Sequence, residues 1–136
     1  MKLGFDCAEL DIFRKQLERV AREQPKKSVS FLKKQGTKLK RETSKVAKRR
    51  VRKDSGFYHQ SIKRGKVYTY NGAFSIRCYS SAPHAHLLEK GHRMVTHGGR
   101  MVGFVPGVHV FETAGRTFKP KFEEACEDFV DEVMDV

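Results

Sequence analysis

Residues 82–92, Ala-Pro-His-Ala-His-Leu-Leu-Glu-Lys-Gly-His, hold the densest group of side chains able to do chemistry: His84, His86, Glu89 and His92. Such residues can ligate a metal or move a proton. A zinc site needs three or four N, S or O donors converging on one ion. Two histidines on one helix reach a shared ion best at i and i+4, whereas His84 and His86 are two apart and His86 and His92 six apart. No His-Glu-x-x-His pattern and no nearby cysteine pair accompanies them. The spacing favours polar turn residues over a metal centre, and a small zinc hydrolase or nuclease is the weaker rival. Glu89 stands before Lys90 and Gly91. A general acid or base would need a titratable partner in a pocket. The alternatives are a carboxylate that accepts backbone N–H bonds and braces the glycine turn, or one that forms a salt bridge between subunits. Neither a serine elbow nor a glycine-rich phosphate loop is present. These residues predict no cofactor, no bound metal and no enzyme.

A second candidate is the basic run 33–53. It offers Lys33, Lys34, Lys38, Lys40, Arg41, Lys45, Lys48, Arg49, Arg52 and Lys53 as a contact face. Cations arrayed this way displace counterions from phosphates without reading sequence. No aromatic residue interleaves them between 32 and 56, so base stacking lacks a platform. No zinc finger, RNA-recognition core or helix-turn-helix pattern appears. The run therefore supports either a non-specific DNA-binding module or a contact with an acidic protein surface. The chain offers such a surface itself. Residues 14–66 carry 20 Lys and Arg against 4 acids, whereas residues 122–136 carry 7 acids and no Lys or Arg. Within a net charge of +12, this polarity suits head-to-tail assembly, polyanion contact or solubility.

The elements that must position these residues follow from periodicity. Residues 6–24 predict an amphipathic helix through Leu10, Phe13, Leu17 and Val20, with Asp6 and Glu9 as a capping box and Phe5 with Leu10 as a hydrophobic staple. Pro25 marks a break. Residues 26–52 predict a long basic helix on a thin seam of Val29, Leu32, Leu39 and Val46, weakened by Gly36 and Thr43; Gly56 follows as a cap or turn. Asn71-Gly72 between residues 66–70 and 73–80 predicts a hairpin, with Val67, Phe74, Ile76 and Cys78 facing inward. Residues 81–92 predict a turn and a short helix with Pro83 near its start. Residues 93–105 predict a second hairpin turning at Gly98-Gly99. Phe111, Ala114, Phe118, Phe122, Ala125, Phe129 and Val133 predict a terminal helical face, kinked or broken before residue 120 by Gly115 and Pro120. The fold class is α+β: two N-terminal helices, an antiparallel sheet of about four strands, and a C-terminal helix packed on it. A chain of 136 residues predicts a single domain, with residues 6–52 helical and 57–136 holding the hairpins and last helix. No apolar run is long enough to span a membrane. The start of the chain lacks a signal-peptide core, and three scattered cysteines suit reduced thiols, so synthesis in a cytoplasm is expected.

Taken in order, four stretches resemble the tail-component family of long-tailed bacteriophages and prophages. They are residues 54–63, 82–92, 99–111 and the C-terminal helix. The family's pattern matches Ser55, Gly56, Ser61 and Ile62, then His84, Ala85, Glu89, Gly91 and His92, then Pro106, Gly107 and Phe111. Lys90 stands where an aromatic is common, and Tyr58 where leucine is common. The resemblance covers about residues 54–130. It implies a non-enzymatic virion component at tail completion or head–tail joining, in the neck or tail. Its partners would be other connector or tail proteins and further copies of itself in a ring, with no membrane contact. The acidic C-terminal helix facing a neighbour's basic helix is the expected interface.

Overall fold

The computed structural model describes residues 8–51, 56–70 and 73–134. Helix α1 spans Ala8–Glu23 and α2 spans Pro25–Arg50. Short elements follow: α3 (Phe57–Gln60), β1 (Ile62–Arg64), β2 (Tyr68–Tyr70), β3 (Ala73–Ser75), β4 (Cys78–Ser80), α4 (Ala85–Lys90), β5 (Gly91–Val95) and β6 (Met101–Pro106). Helix α5, Val110–Val133, closes the chain. The expected capping box and staple rest on Phe5 and Asp6, which lie outside the described residues, and on Glu9 and Leu10, of which only the backbone is described, as for all of residues 8–14.

Pro25 opens α2 because its fixed φ suits a first turn whose N–H groups need no partner. The Gln24 carbonyl accepts the Ser28 amide at 3.0 Å and the Ser28 hydroxyl at 2.9 Å. The buried stripe of α2 runs through Ser28, Gln35, Gly36, Leu39, Thr43, Val46 and Ala47. Gly36 and Thr43 thus strengthen the seam that their polarity and size had suggested they weaken. A Cβ on Gly36 would lie 2.7 Å from Ile76 Cδ1, so its absence lets the β region approach the helix closely. Thr43 folds its hydroxyl back to the Leu39 carbonyl at 2.8 Å, which satisfies it inside the core.

Helix α5 packs along α2. Its buried row is Val110, Ala114, Phe118, Phe122, Cys126 and Val130, an unbroken i, i+4 ridge. The expected face included Ala114, Phe118 and Phe122 correctly. It placed Phe111, Ala125, Phe129 and Val133 at the centre, whereas these sit on the half-buried flanks. The helix is also continuous through Gly115 and Pro120, so of the expected kink or break the break does not occur. Two buried clusters tie the helices together. One joins Val46 and Ala47 of α2 to Ile62, Val110 and Ala114; the other joins Leu39 to Phe118, Phe122 and Cys126. The Phe31 and Phe129 rings stack at 4.3 Å between centroids. Each buried phenylalanine contributes on the order of 2–3 kcal/mol through area removed from water.

The strands form three two-stranded antiparallel ladders, β1–β4, β2–β3 and β5–β6, in place of the expected single sheet of about four strands. The first two belong to one nested hairpin, bridged by the Gly65 amide donating to the Arg77 carbonyl at 2.8 Å. The return strand is split because Ser75 and Ile76 are both buried, and consecutive inward residues break the two-residue pleat. Val67, Phe74 and Cys78 are half-buried. The β5–β6 hairpin turns at residues 96–100 as expected, with Gly99 at φ +83.

Candidate functional site

Four segments distant in sequence meet where α5 begins: the end of α2, α3, the end of α4 and the loop after β6. Their arrangement starts from two glycines. Gly91 ends α4 at φ +87, a conformation that costs glycine little and other residues much. A Cβ there would collide with the Val105 carbonyl oxygen and sit 2.7 Å from the Gly107 nitrogen. A Cβ on Gly107 would collide with the Glu89 carbonyl oxygen and sit 2.7 Å from the Gly91 nitrogen. The two backbones therefore cross with no room for a side chain on either. The Leu88 and Glu89 carbonyls accept the Val108 and His109 amides at 2.7 and 3.3 Å, which locks the crossing.

This crossing aims Glu89 at the first turn of α5. Its Oε1 accepts the Phe111 amide at 2.9 Å and its Oε2 accepts the Glu112 amide at 3.1 Å. The residue at the N-cap position, His109, takes a left-handed φ of 48 and makes no side-chain capping bond. Glu89 supplies the cap from another element instead, placing a carboxylate on two orphan amides at the positive end of the helix dipole. The expectation that Glu89 accepts backbone N–H bonds is thus met, with its target the terminal helix instead of the glycine turn.

The end of α2 joins the same junction. Arg50 donates to the Val108 carbonyl at 3.1 Å and to the Thr113 hydroxyl at 2.9 Å. His59 Nε2 lies 3.3 Å from the Ala47 carbonyl and 3.2 Å from the Val51 carbonyl, so as an N–H it caps the end of α2. Gly56 opens α3 at φ +80. Ser61 donates to the Tyr58 carbonyl and meets the Ser80 hydroxyl at 2.6 Å, pinning α3 to β4, while Ile62 enters the core beside Val46 and Val110. The Tyr58 hydroxyl is buried with no hydrogen-bond partner among the described residues. Burial, and then the charge of Glu89, push its pKa from 10.0 to about 12. Sequence reasoning missed His59, Arg50 and His109; only the tertiary contacts reveal them.

The histidines of residues 82–92 read as polar turn residues, with a metal centre the weaker rival. His84 sits at the N-cap of α4 and His86 two residues along, both exposed. His92 pairs with Val105 in the β5–β6 ladder. Among the described residues, the group with metal-ligand spacing is Glu89, His109 and Glu112. Its atoms are engaged already: Glu89 by two amides, and Glu112 by His109 at 3.0 Å and Arg116 at 2.9 Å. Ala85 is half-buried in α4, and Pro106 ends β6.

The cations of α2 that the sequence singled out, Lys33, Lys34, Lys38, Lys40, Arg41, Lys45, Lys48 and Arg49, are all exposed. Arg52 and Lys53 lie outside the described residues. On α5, Glu124, Glu127, Asp128, Asp131 and Glu132 are exposed in turn. No described helix is long and apolar enough to cross a membrane.

Residues 11–91 match the model of a family described as "Bacteriophage HK97-gp10, putative tail-component". The match takes in α1, α2 and the segment up to Gly91, and stops before the 99–111 stretch and the C-terminal helix that the resemblance had included. No curated protein and no solved structure matches the chain.

Proposed function

The chain belongs to this family of bacteriophage tail components, and on that premise we propose that it is a structural part of the virion acting at tail completion or head–tail joining. The carrying observation is the family match across α1, α2 and the Glu89 turn. The geometry supports an assembly role. Glu89, the one acid that the sequence offered as a general base, holds a helix end with both oxygens. Gly91 and Gly107 serve a backbone crossing, and Ser61 pins two elements. In this reading the copies form a ring beside other connector or tail proteins. An exposed basic helix and an exposed acidic helix end suit head-to-tail contacts, which close when the rotation allows. Phage lacking the gene, imaged by negative stain, should show unjoined heads and tails or defective tails. Normal infectious particles would overturn the proposal.

The continuous exposed cations of α2 favour a second reading, non-specific contact with DNA. Its signature is duplex binding that persists near 0.15 M salt and falls steeply as salt rises. Loss of binding below that salt would leave the cations to protein contacts.

A further inference from the structure

The β5–β6 hairpin stands out from the body as an arm. Apart from its own two strands, it packs chiefly on α4 at its root. Among the described residues its strands are open on their outer edges, since the ladder has two strands only. Arg93, Met94, Arg100, Met101 and Phe104 are exposed along it, with Met101 56% and Phe104 55% accessible. Large apolar side chains on a projecting, two-edged hairpin mark an interaction surface. The arm is also basic, with Arg93 and Arg100 and no acid between Lys90 and Phe111.

A complementary surface lies at the far end of the same molecule. The C-terminal ends of α1 and α5 flank an open cleft of about 150 Å³ lined by Val20, Val133 and Met134 with Arg19, Glu23 and Gln24. A volume of that size takes a group as large as a benzene ring. Asp131 and Glu132, both exposed on α5, precede the cleft residue Val133 in sequence. The arm is rooted where α5 begins and the cleft lies where it ends. A helix of 24 residues separates them by about 36 Å, whereas strands of five or six residues reach about 20 Å. A chain cannot place its arm in its own cleft.

We infer that the arm of one copy docks on the next copy, with Met101 entering the cleft, Phe104 covering its rim, and Arg93 and Arg100 facing Asp131 and Glu132. The contact is heterologous: the surface used on one copy differs from that used on the other, which generates a ring or a filament. Methionine, unbranched and flexible, suits an irregular cleft. This rests on the reading above that copies of the chain assemble with one another.

The test uses charge reversal at exposed positions, with self-association followed by sedimentation and folding by circular dichroism. R93E/R100E and D131K/E132K should each stay folded and each weaken self-association at least tenfold. Mixing the two should restore it, because each reversed surface then meets its complement. Met101→Ser should weaken it too, with no rescue by R93E/R100E, which also lacks a native arm, whereas D131K/E132K should pair with it by placing its native arm in the native cleft of the Met101→Ser chain. If the wild-type chain stays monomeric at its highest soluble concentration, the homo-oligomer reading falls and this inference with it. If it associates and both reversed variants do so equally well, only the arm-to-cleft contact is overturned. Failure of the mixture to recover, with both variants folded, would also overturn the pairing of these two surfaces.

Discussion

Glu89 is the residue on which the junction turns, and its two acceptor atoms can be separated experimentally. Glu89→Ala removes the cap from both the Phe111 and Glu112 amides. Capping losses run at about 0.5–2 kcal/mol and bonds to a charged acceptor at about 1.5–3 kcal/mol, so a loss of about 2 kcal/mol is expected in urea titration. Glu89→Gln keeps one acceptor oxygen and should cost about half as much. Equal costs would mean that charge, and not the pair of bonds, is what matters. Tyr58 behaves in the opposite way. Its hydroxyl is buried without a hydrogen-bond partner among the described residues. Removing an unsatisfied buried polar group is neutral or favourable, so Tyr58→Phe should leave the protein as stable or up to about 1 kcal/mol more so. The pH dependence has a definite sign. Folding raises the Tyr58 pKa from 10.0 to about 12, so the folded state holds its proton more tightly than the unfolded one. The resulting stability is fully present below pH 10 and is lost as pH rises toward 12. Cys126 acts in the same direction. Burial first, then Glu123 and Glu127, raise its pKa from 9.0 to about 12. Thermal melts between pH 9 and 11 should therefore show falling midpoints, with a shallower fall in the Tyr58→Phe variant.

At the scale of elements, the three glycines most exposed to substitution give three different outcomes. Gly115 lies in the interior of α5 with open space around its missing Cβ, so Gly115→Ala should raise stability by about 1 kcal/mol through helix propensity alone. Gly36 gains the same propensity in α2, but its new Cβ meets the far end of Ile76, so Gly36→Ala should be close to neutral, and a paired Ile76→Val should release the gain. Gly91 combines φ +87 with backbone on both sides. Gly91→Ala should cost several kcal/mol, because neither the Val105 carbonyl nor the Gly107 amide can yield without opening the crossing. The sequence made the helices legible because apolar residues at spacings of three and four persist through α1, α2 and α5. It made the arm legible through Gly98-Gly99. It could not show which row of α5 lies innermost, since Phe111, Ala125, Phe129 and Val133 have the same period as the true ridge and differ from it only in what α2 presents. Nor could it show that Gly36 is a contact and not a flaw, or that Glu89 serves a helix more than twenty residues away. Those facts exist only once distant segments meet.

For the whole molecule, the decisive separation is between what holds the body together and what is left over for a neighbour. Among the described residues, the body rests on the α2–α5 seam, the two buried clusters and the Glu89 junction. The arm beyond its root adds little to any of these, as its contacts are mostly internal to the hairpin. Replacing residues 95–101 with a short Asn-Gly turn should therefore leave the melting midpoint within a few degrees of the parent, because no buried apolar cluster loses a member. A much larger fall would mean that the arm belongs to the fold. The same replacement removes Arg100 and Met101 and should abolish self-association if the arm is the donor of the intermolecular contact. Salt gives an independent reading of the same interface. Exposed charges are screened over about 8 Å at physiological ionic strength, so a contact between Arg93 or Arg100 and the acids of α5 should form more slowly as salt rises. Apolar burial of Met101 and Phe104 should persist, leaving dissociation much less affected. DNA binding through α2 would behave differently, since each released counterion enters the equilibrium itself and the affinity falls by orders of magnitude over the same range. A salt series on the association and dissociation rates of the chain with itself, set beside one with duplex DNA, thus distinguishes a polarity built for assembly from one built for a polyanion. A chain whose self-association were indifferent to salt in both rates would owe nothing to the charge asymmetry between its two ends.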